Sequence, residues 1–253
     1  MPLLETAGLT RSFGSVVAVD GVDFTLPEGE IRAVIGPNGA GKTVFLHLLS
    51  GLLSPSRGRI ALDGADLSHV GIAERVRRGI TRSFQITNLF ANLTVADNVR
   101  LAAQATAPAM SAWWRSARER SADARVYELL DLVGLGAAAA LYPSQLAHGD
   151  QRHLEIALAL APRPRLLLLD EPTAGMSLGE TGRTTALIRR INREEGVTIV
   201  IVEHDMRLIL ELAQWITVLD RGRVLADGTP RAVAADPRVR EAYLGRGRHA
   251  ARL

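Results

Sequence analysis

The order of segments in this chain predicts an α/β fold with a mostly parallel sheet. Three observations carry that expectation. From residue 165 onward, short apolar runs alternate with helix-spaced segments, the pattern of a parallel sheet covered on both faces. A glycine-rich loop at 36–43 joins an apolar strand to a helix. Between these parts, residues from about 92 to 160 read as helix, an insertion into an α/β core.

Taken in order, "LLETAGLTRSF", "VVAVDGVDFTL" and "EIRAVIG" are β-rich, and "KTVFLHLLSGLL" has helical spacing. "RGRIALDG" is a strand running into a turn, 72–78 is helical and "GITRSFQ" extended. Thr94 and Asp97 form a capping-box pattern that opens a helix. "SARERSADARVYELLDLVGL" and "QRHLEIALALA" are helices, the second ended by "PRPR". Then come a strand at 165–169, a helix at about 178–195 capped by Ser177 and Glu180, a strand at 197–202, a helix at about 205–213 and a strand at 215–219. "DPRVREAYLG" closes as a short docking helix. The chain divides as one domain: an α/β core with its β subdomain at about 1–85 and 163–228, a helical subdomain at about 86–162, and a C-terminal helix and basic tail at 229–253.

Composition narrows the function classes. At 253 residues, 47% hydrophobic and 23% charged, the chain has the make-up of a globular protein with a substantial core. "LLLL" at 166–169 and "VTIVIV" at 197–202 have strand length, well short of the ~20 apolar residues that span a bilayer. The N-terminus "MPLLETAGLT" lacks the basic start and apolar core of a secretory signal. The absence of cysteine excludes disulfides, Fe–S clusters and thiolate zinc sites. Net charge is only +3 although the isoelectric point is 9.9, because arginine keeps its proton at high pH. The basic clusters at 75–79 and 245–253 read as solvated surface and a frayed tail, not the stripe of a nucleic-acid binder.

"GPNGAGKT", residues 36–43, fits G-x-x-x-x-G-K-[ST] in strand–loop–helix context. Lys42 is the only lysine among 30 Lys+Arg. Glycines let the backbone curl so that N–H groups converge into an anion nest, and the helix adds its positive end. A compact ammonium on a flexible stem suits that nest better than a planar fork. Lys42 is expected at the β- and γ-phosphates and Thr43 at Mg²⁺. With the sole lysine already placed, the N-K-x-D motif that reads guanine cannot exist, which favours adenine or a nonselective base pocket. "RLLLLDEPTAG", 165–175, is a buried strand delivering Asp170 and Glu171 to the crevice where such sheets bind ligands. Asp170 is expected at the metal or its waters, and Glu171 as the group that polarises the attacking water.

Together these motifs resemble the ATP-binding subunits of ABC transporters, over about residues 3–244. The resemblance implies a P-loop NTPase core with a mostly parallel sheet, an N-terminal antiparallel β subdomain and an inserted α-helical subdomain. It implies ATP and Mg²⁺ as ligands. Gly36, Pro37, Asn38, Gly39, Ala40, Gly41, Lys42, Thr43 and Val44 would hold ATP, with Phe13 of "RSFG" stacked on adenine. Gln85 of "SFQ" would meet Mg²⁺, beside Thr43 and Asp170, and the transmembrane partner. Leu146, Ala147, His148, Gly149 and Asp150 occupy the signature loop, which in the family grips ATP held by the opposite subunit; Gly175, Met176 and Ser177 lie in the loop crossing the dimer interface. His204 of "VEHDM" would contact the γ-phosphate, so that Glu171, His204 and Gln85 form the catalytic set. The usual L-S-G-G-Q here carries Ala147, His148 and Asp150 in place of Ser, Gly and Gln. The lost serine hydroxyl leaves main-chain N–H groups and the helix dipole, a loss of ~0.5–1.5 kcal/mol that ATP-driven closure survives. Trp113 and Trp114 read as core packing or a surface patch, with contact to a membrane partner as the alternative.

The form "LAHGDQRHLEIA", with "EHDM" and "AYLG", is similar to the ATPases of branched-chain amino-acid importers and to those for urea or short-chain amides. The resemblance implies a homo- or heterodimer of ATP-binding subunits, separate permease subunits, indirectly a periplasmic or surface solute-binding protein, no nucleic acid, and a peripheral place on the cytoplasmic face of the membrane. The alternative is a soluble ABC ATPase of nucleic-acid or translation processes, which usually has two cassettes or a long coiled-coil insertion. A P-loop kinase and a non-catalytic nucleotide-gated module are the remaining rivals, disfavoured by the signature loop, Glu171 and His204.

Overall fold

The computed structural model describes residues 1–83, 89–104 and 115–244. Gln85, Trp113, Trp114 and the tail from 245 lie outside the described residues.

Strands buried on both faces build the centre. β3 (Ile31–Ile35), β7 (Leu166–Asp170) and β8 (Thr198–Val202) are buried along their whole length. They belong to a six-stranded sheet with β9 (Trp215–Asp220), β10 (Arg223–Gly228) and β6 (Ile80–Arg82), in the order β10-β9-β3-β8-β7-β6. All pairs are parallel except β9–β10. Because strand side chains alternate faces, Ala33, Leu167, Leu169, Ile199 and Ile201 enter one core while Val34, Leu166, Leu168, Val200 and Val202 enter the other. The apolar runs are continuous because both faces are covered.

On the second face lie α1 (Lys42–Ser50) and an antiparallel sheet, β2-β1-β4-β5, made of β1 (Leu4–Phe13), β2 (Val16–Leu26), β4 (Arg57–Leu62) and β5 (Ala65–Asp66). Phe24 of β2 meets Phe45 of α1 edge-to-face at 5.3 Å. The far end of α1 is held by Arg75 of α2 (Ile72–Arg77), which is fully buried. Its Nη1 donates to Leu48 O and Leu49 O at 2.7 Å each, its Nε to Val70 O at 2.8 Å and its Nη2 to Leu67 O. Burial lowers its pKa to about 10, and a cation at a helix C-terminus is favourably placed. The basic cluster at 75–79 is therefore only partly the solvated surface that its composition predicts. Arg77 and Arg78 pair with Glu74 at the surface, but Arg75 is a helix clamp.

The first face is covered by α5 (His148–Leu160), α6 (Leu178–Glu195) and α7 (Met206–Leu212), with α3 (Val95–Gln104) and α4 (Arg115–Leu132) packed beyond α5. Val126, Leu129, Leu130 and Val133 of α4 and the turn after it are buried at helical spacing. Both expected caps form. Asp97 N–H donates to Thr94 Oγ1 at 3.1 Å, and Ser177 N–H and Glu180 Oε2 close a capping box at 2.9 Å. Two elements escape a reading by periodicity. β10 has only one fully buried residue, and α8 (Pro230–Ala235), which precedes the closing helix α9 (Pro237–Leu244), is a single capped turn and a half with Val233 as its one buried residue.

Candidate functional site

The glycine loop leaves β3 and enters α1 through positions that only glycine fits. Gly36 has φ +153°, and a Cβ there would lie 2.1 Å from Leu219 O; Gly41 has φ +100°, and a Cβ would lie 2.3 Å from Ala18 O. The loop is stitched to the hairpin of β9 and β10, since Gly222 N–H donates to Ala40 O at 2.9 Å. Lys42 is buried, and its Nζ donates to Gly36 O at 2.7 Å and Pro37 O at 3.1 Å. Its ammonium is thus held inside the curl by the loop's own carbonyls. Burial lowers its pKa, against the opposing pull of Glu171 and Asp170. Asn38, Gly39 and Thr43 are exposed at the mouth.

Asp170, the last residue of β7, is 2% exposed. Arg82 Nη2 donates to its Oδ2 at 2.6 Å, while Oδ1 is buried without a hydrogen-bond partner. An unsatisfied buried carboxylate oxygen costs free energy unless a ligand, water or cation meets it. The motifs do not pick out Arg82; as the last residue of a three-residue strand, it has no signal of its own. Glu171 has φ +47°, rare for a side chain with a Cβ, and its N–H donates to Val202 O at 2.8 Å. Its Oε1 lies 2.8 Å from His204 Nε2, which follows β8. Lys42, Asp170, Glu171 and His204 thus converge at the C-terminal ends of three neighbouring strands. Gln85 lies outside the described residues.

Phe13, at the end of β1, is 45% exposed, and the Arg11 guanidinium sits over its ring at 4.7 Å from the centroid. Arg11 is tied down by donation from Nη1 to Ser54 O at 2.8 Å. The anchored guanidinium backs the ring by a cation–π contact.

The residues at 146–150 sit elsewhere. Leu146 is buried, Ala147 caps α5 with extended backbone, and the helix begins at His148, one residue before Gly149. The first helical bond runs from Gln151 N–H to Ala147 O at 3.0 Å, so the N–H groups of His148, Gly149 and Asp150 precede it. Among the described residues, none of these makes a hydrogen bond or ion pair with the glycine loop or Asp170. The segment leans instead on residues 175–180 of its own chain. A Cβ on Gly175 would lie 3.7 Å from His148 Cε1, and one on Gly149 would lie 2.9 Å from Glu180 Oε1. One turn on, His153 Nε2 lies 3.0 Å from Thr184 Oγ1 of α6, which also donates to Met176 Sδ at 3.3 Å.

This geometry can cradle a polyphosphate, present a carboxylate to a water and hold an imidazole beside it. Residues 19–174 match the ABC transporter family model, and 223–249 match that of the branched-chain amino acid ATP-binding cassette transporter. The high-affinity branched-chain amino acid transport ATP-binding protein BraF of Pseudomonas aeruginosa is 39% identical, covering 96% of this chain and 98% of that one. LivG of Escherichia coli, described in the same words, is 37% identical over the same shares. Among solved structures, the ADP conformation of the cassette MJ1267 superposes with a TM-score of 0.84 at 25% identity, covering 97% and 99% of the two chains. A dimeric post-hydrolysis state of MJ0796 bound to ADP and Pi superposes at 0.76, with 27% identity and 90% and 99% covered.

Proposed function

The chain belongs to the ABC transporter family of ATP-binding subunits, and from that premise we propose that it hydrolyses ATP to drive uptake of branched-chain amino acids or related small polar solutes through a separate permease. The observation that carries the solute class is the end-to-end match to BraF and LivG, joined by the C-terminal family match at 223–249. A role in nucleic-acid or translation processes is not favoured by these relatives.

In this reading Phe13 stacks on adenine with Arg11 behind it. The main-chain amides of residues 36–44 take the phosphates, and Lys42 exchanges the carbonyls of Gly36 and Pro37 for phosphate oxygens. The residues fit a Mg²⁺ that arrives with its nucleotide. Such an ion needs only one or two protein oxygens, and Asp170 Oδ1 is buried without a partner, with Asp170 close enough to Lys42 to act on its charge. Thr43, Gln85 and Asp170 would hold it, and when bound it would neutralise charge on the β- and γ-phosphates. Arg82 keeps Asp170 turned so that Oδ1 stays free. Glu171 accepts a hydrogen bond from the attacking water, and His204, hydrogen-bonded to Glu171, reaches the γ-phosphate.

Leu146–Asp150 and Gly175–Ser177 serve a second ATP-binding subunit, identical or different, whose ATP the signature loop grips. Permease subunits and, through them, a solute-binding protein complete the assembly at the cytoplasmic face of the membrane. Among the described residues no helix is long and apolar enough to cross a membrane. Glu171→Gln tests the chemistry: turnover is expected to fall ~10²–10⁴-fold, while ATP binding persists and ATP accumulates a dimer visible by size-exclusion chromatography. Normal turnover by that variant removes the role assigned to Glu171. Loss of leucine uptake on deleting the gene, restored by the parent chain, tests the solute class.

A further inference from the structure

We propose that Glu203 is a positioning residue for ATP hydrolysis, a buried carboxylate that locks the Glu171 loop to the His204 loop; this rests on the ATPase reading above.

Glu171 and His204 leave from two different strands, β7 and β8, whose register pairs Asp170 with Val202. Beyond that rung the strand ladder stops, and loops that leave a sheet move independently unless something ties them. Glu203 supplies a tie with one oxygen for each loop. Its Oε1 accepts from Thr173 N–H at 2.9 Å and from Thr173 Oγ1 at 2.6 Å; its Oε2 accepts from His204 N–H at 3.1 Å. Glu203 is 5% exposed and Thr173 8%, so the two bonds from Thr173 are shielded from water. The same turn holds Glu171 at φ +47° and closes through Ala174 N–H donating to Glu171 O at 3.1 Å. Fixing Thr173, two residues on, therefore fixes the left-handed backbone that aims Glu171 at His204. Ionised carboxylates make strong acceptors for main-chain N–H groups, and the Thr173 N–H would otherwise be buried unpaired.

The hydrogen bonds of Glu203 go to Thr173 and His204 and not to the glycine cradle. Its removal should loosen the Glu171–His204 pair and leave binding intact. In the full-length protein, Glu203→Ala is expected to lower kcat roughly 10-fold or more with KM for ATP and fluorescent-nucleotide affinity within about twofold of the parent, the pattern of an interaction made for the transition state alone. Glu203→Gln keeps one acceptor oxygen and should fall between the two. Thr173→Val removes only the hydroxyl donor; it should lower kcat ~3-fold in the parent and add nothing to Glu203→Ala, because the two share one interaction. Should Glu203→Ala not fold, Glu203→Gln and Thr173→Val decide by the same split.

Parent-like kcat in these variants, or a kcat that falls only together with nucleotide affinity, overturns the brace while leaving the ATPase reading in place. A parent chain that hydrolyses no ATP at all removes both.

Discussion

The two halves of this molecule's surface machinery differ in how much each one completes itself. The cradle half is closed within the chain: Lys42 is held by Gly36 and Pro37, Asp170 by Arg82, Glu171 by His204 and Val202. The signature half offers the first-turn amides of α5 and the exposed residues Ala147 and His148, backed by α6 and, among the described residues, without a hydrogen bond to the glycine loop or Asp170. Beside it Leu178 is 84% exposed. A pre-formed receptor and a set of donors on one chain suit the proposed pairing with a second ATP-binding subunit, and a dimer of a similar cassette has been solved with ADP and Pi bound. The difference teaches that binding and hydrolysis should fail separately.

The contrast is sharpened most by breaking the cradle. Lys42→Ala removes the buried ammonium, and nucleotide affinity should fall ~100-fold, since hydrogen bonds to charged groups contribute ~1.5–3 kcal/mol each. Equilibrium binding of Mg-nucleotide measures this, and undiminished affinity would contradict the whole site. Next, Arg75→Met strips the C-terminal clamp from α1 and strands buried carbonyls. We expect a loss of ~3 kcal/mol in urea unfolding, with nucleotide affinity falling only as the helix loosens. Smaller effects belong to the signature half. His148→Gly should leave ATP binding by the monomer unchanged and lower ATPase turnover only a few-fold, the size expected for losing about one neutral hydrogen-bond donor at the exposed first turn of α5; turnover equal to the parent's discards a role for that ring.

The smallest effect concerns the joint between α5 and α6. Burial lowers the pKa of His153, outweighing the opposing pull of Asp150. As pH falls through the unfolded value near ~6.5, the unfolded chain takes up a proton that the folded chain refuses, so stability is lost from about that pH downward. His153→Gln should show a shallower fall in melting temperature between pH 7 and pH 5.5 than the parent.

Part of this was legible in the residues. The strands of the central sheet announce themselves as apolar runs because they are buried on both faces, and the helix caps at Thr94 and Ser177 are local hydrogen bonds written within four residues. The glycine loop is legible for the same reason: the turn, the lysine and the hydroxyl are close in sequence. Other features left no signal. Arg75 looks like any member of a basic surface cluster until α1 is laid over it. Arg82 and Glu203 act through partners 88 and 30 residues away. β10 and α8 bury too little to generate a period.

What the amino-acid order determined by itself was therefore the local chemistry: which segments become strand or helix, where the phosphate nest lies, and that one carboxylate pair ends a buried strand. What only the tertiary structure decided was which groups become partners. Long-range pairs, Arg82 with Asp170, Glu203 with Thr173 and Arg75 with the end of α1, depend on strand order and helix placement. Those are set by the burial of whole faces, and no short window of sequence contains them.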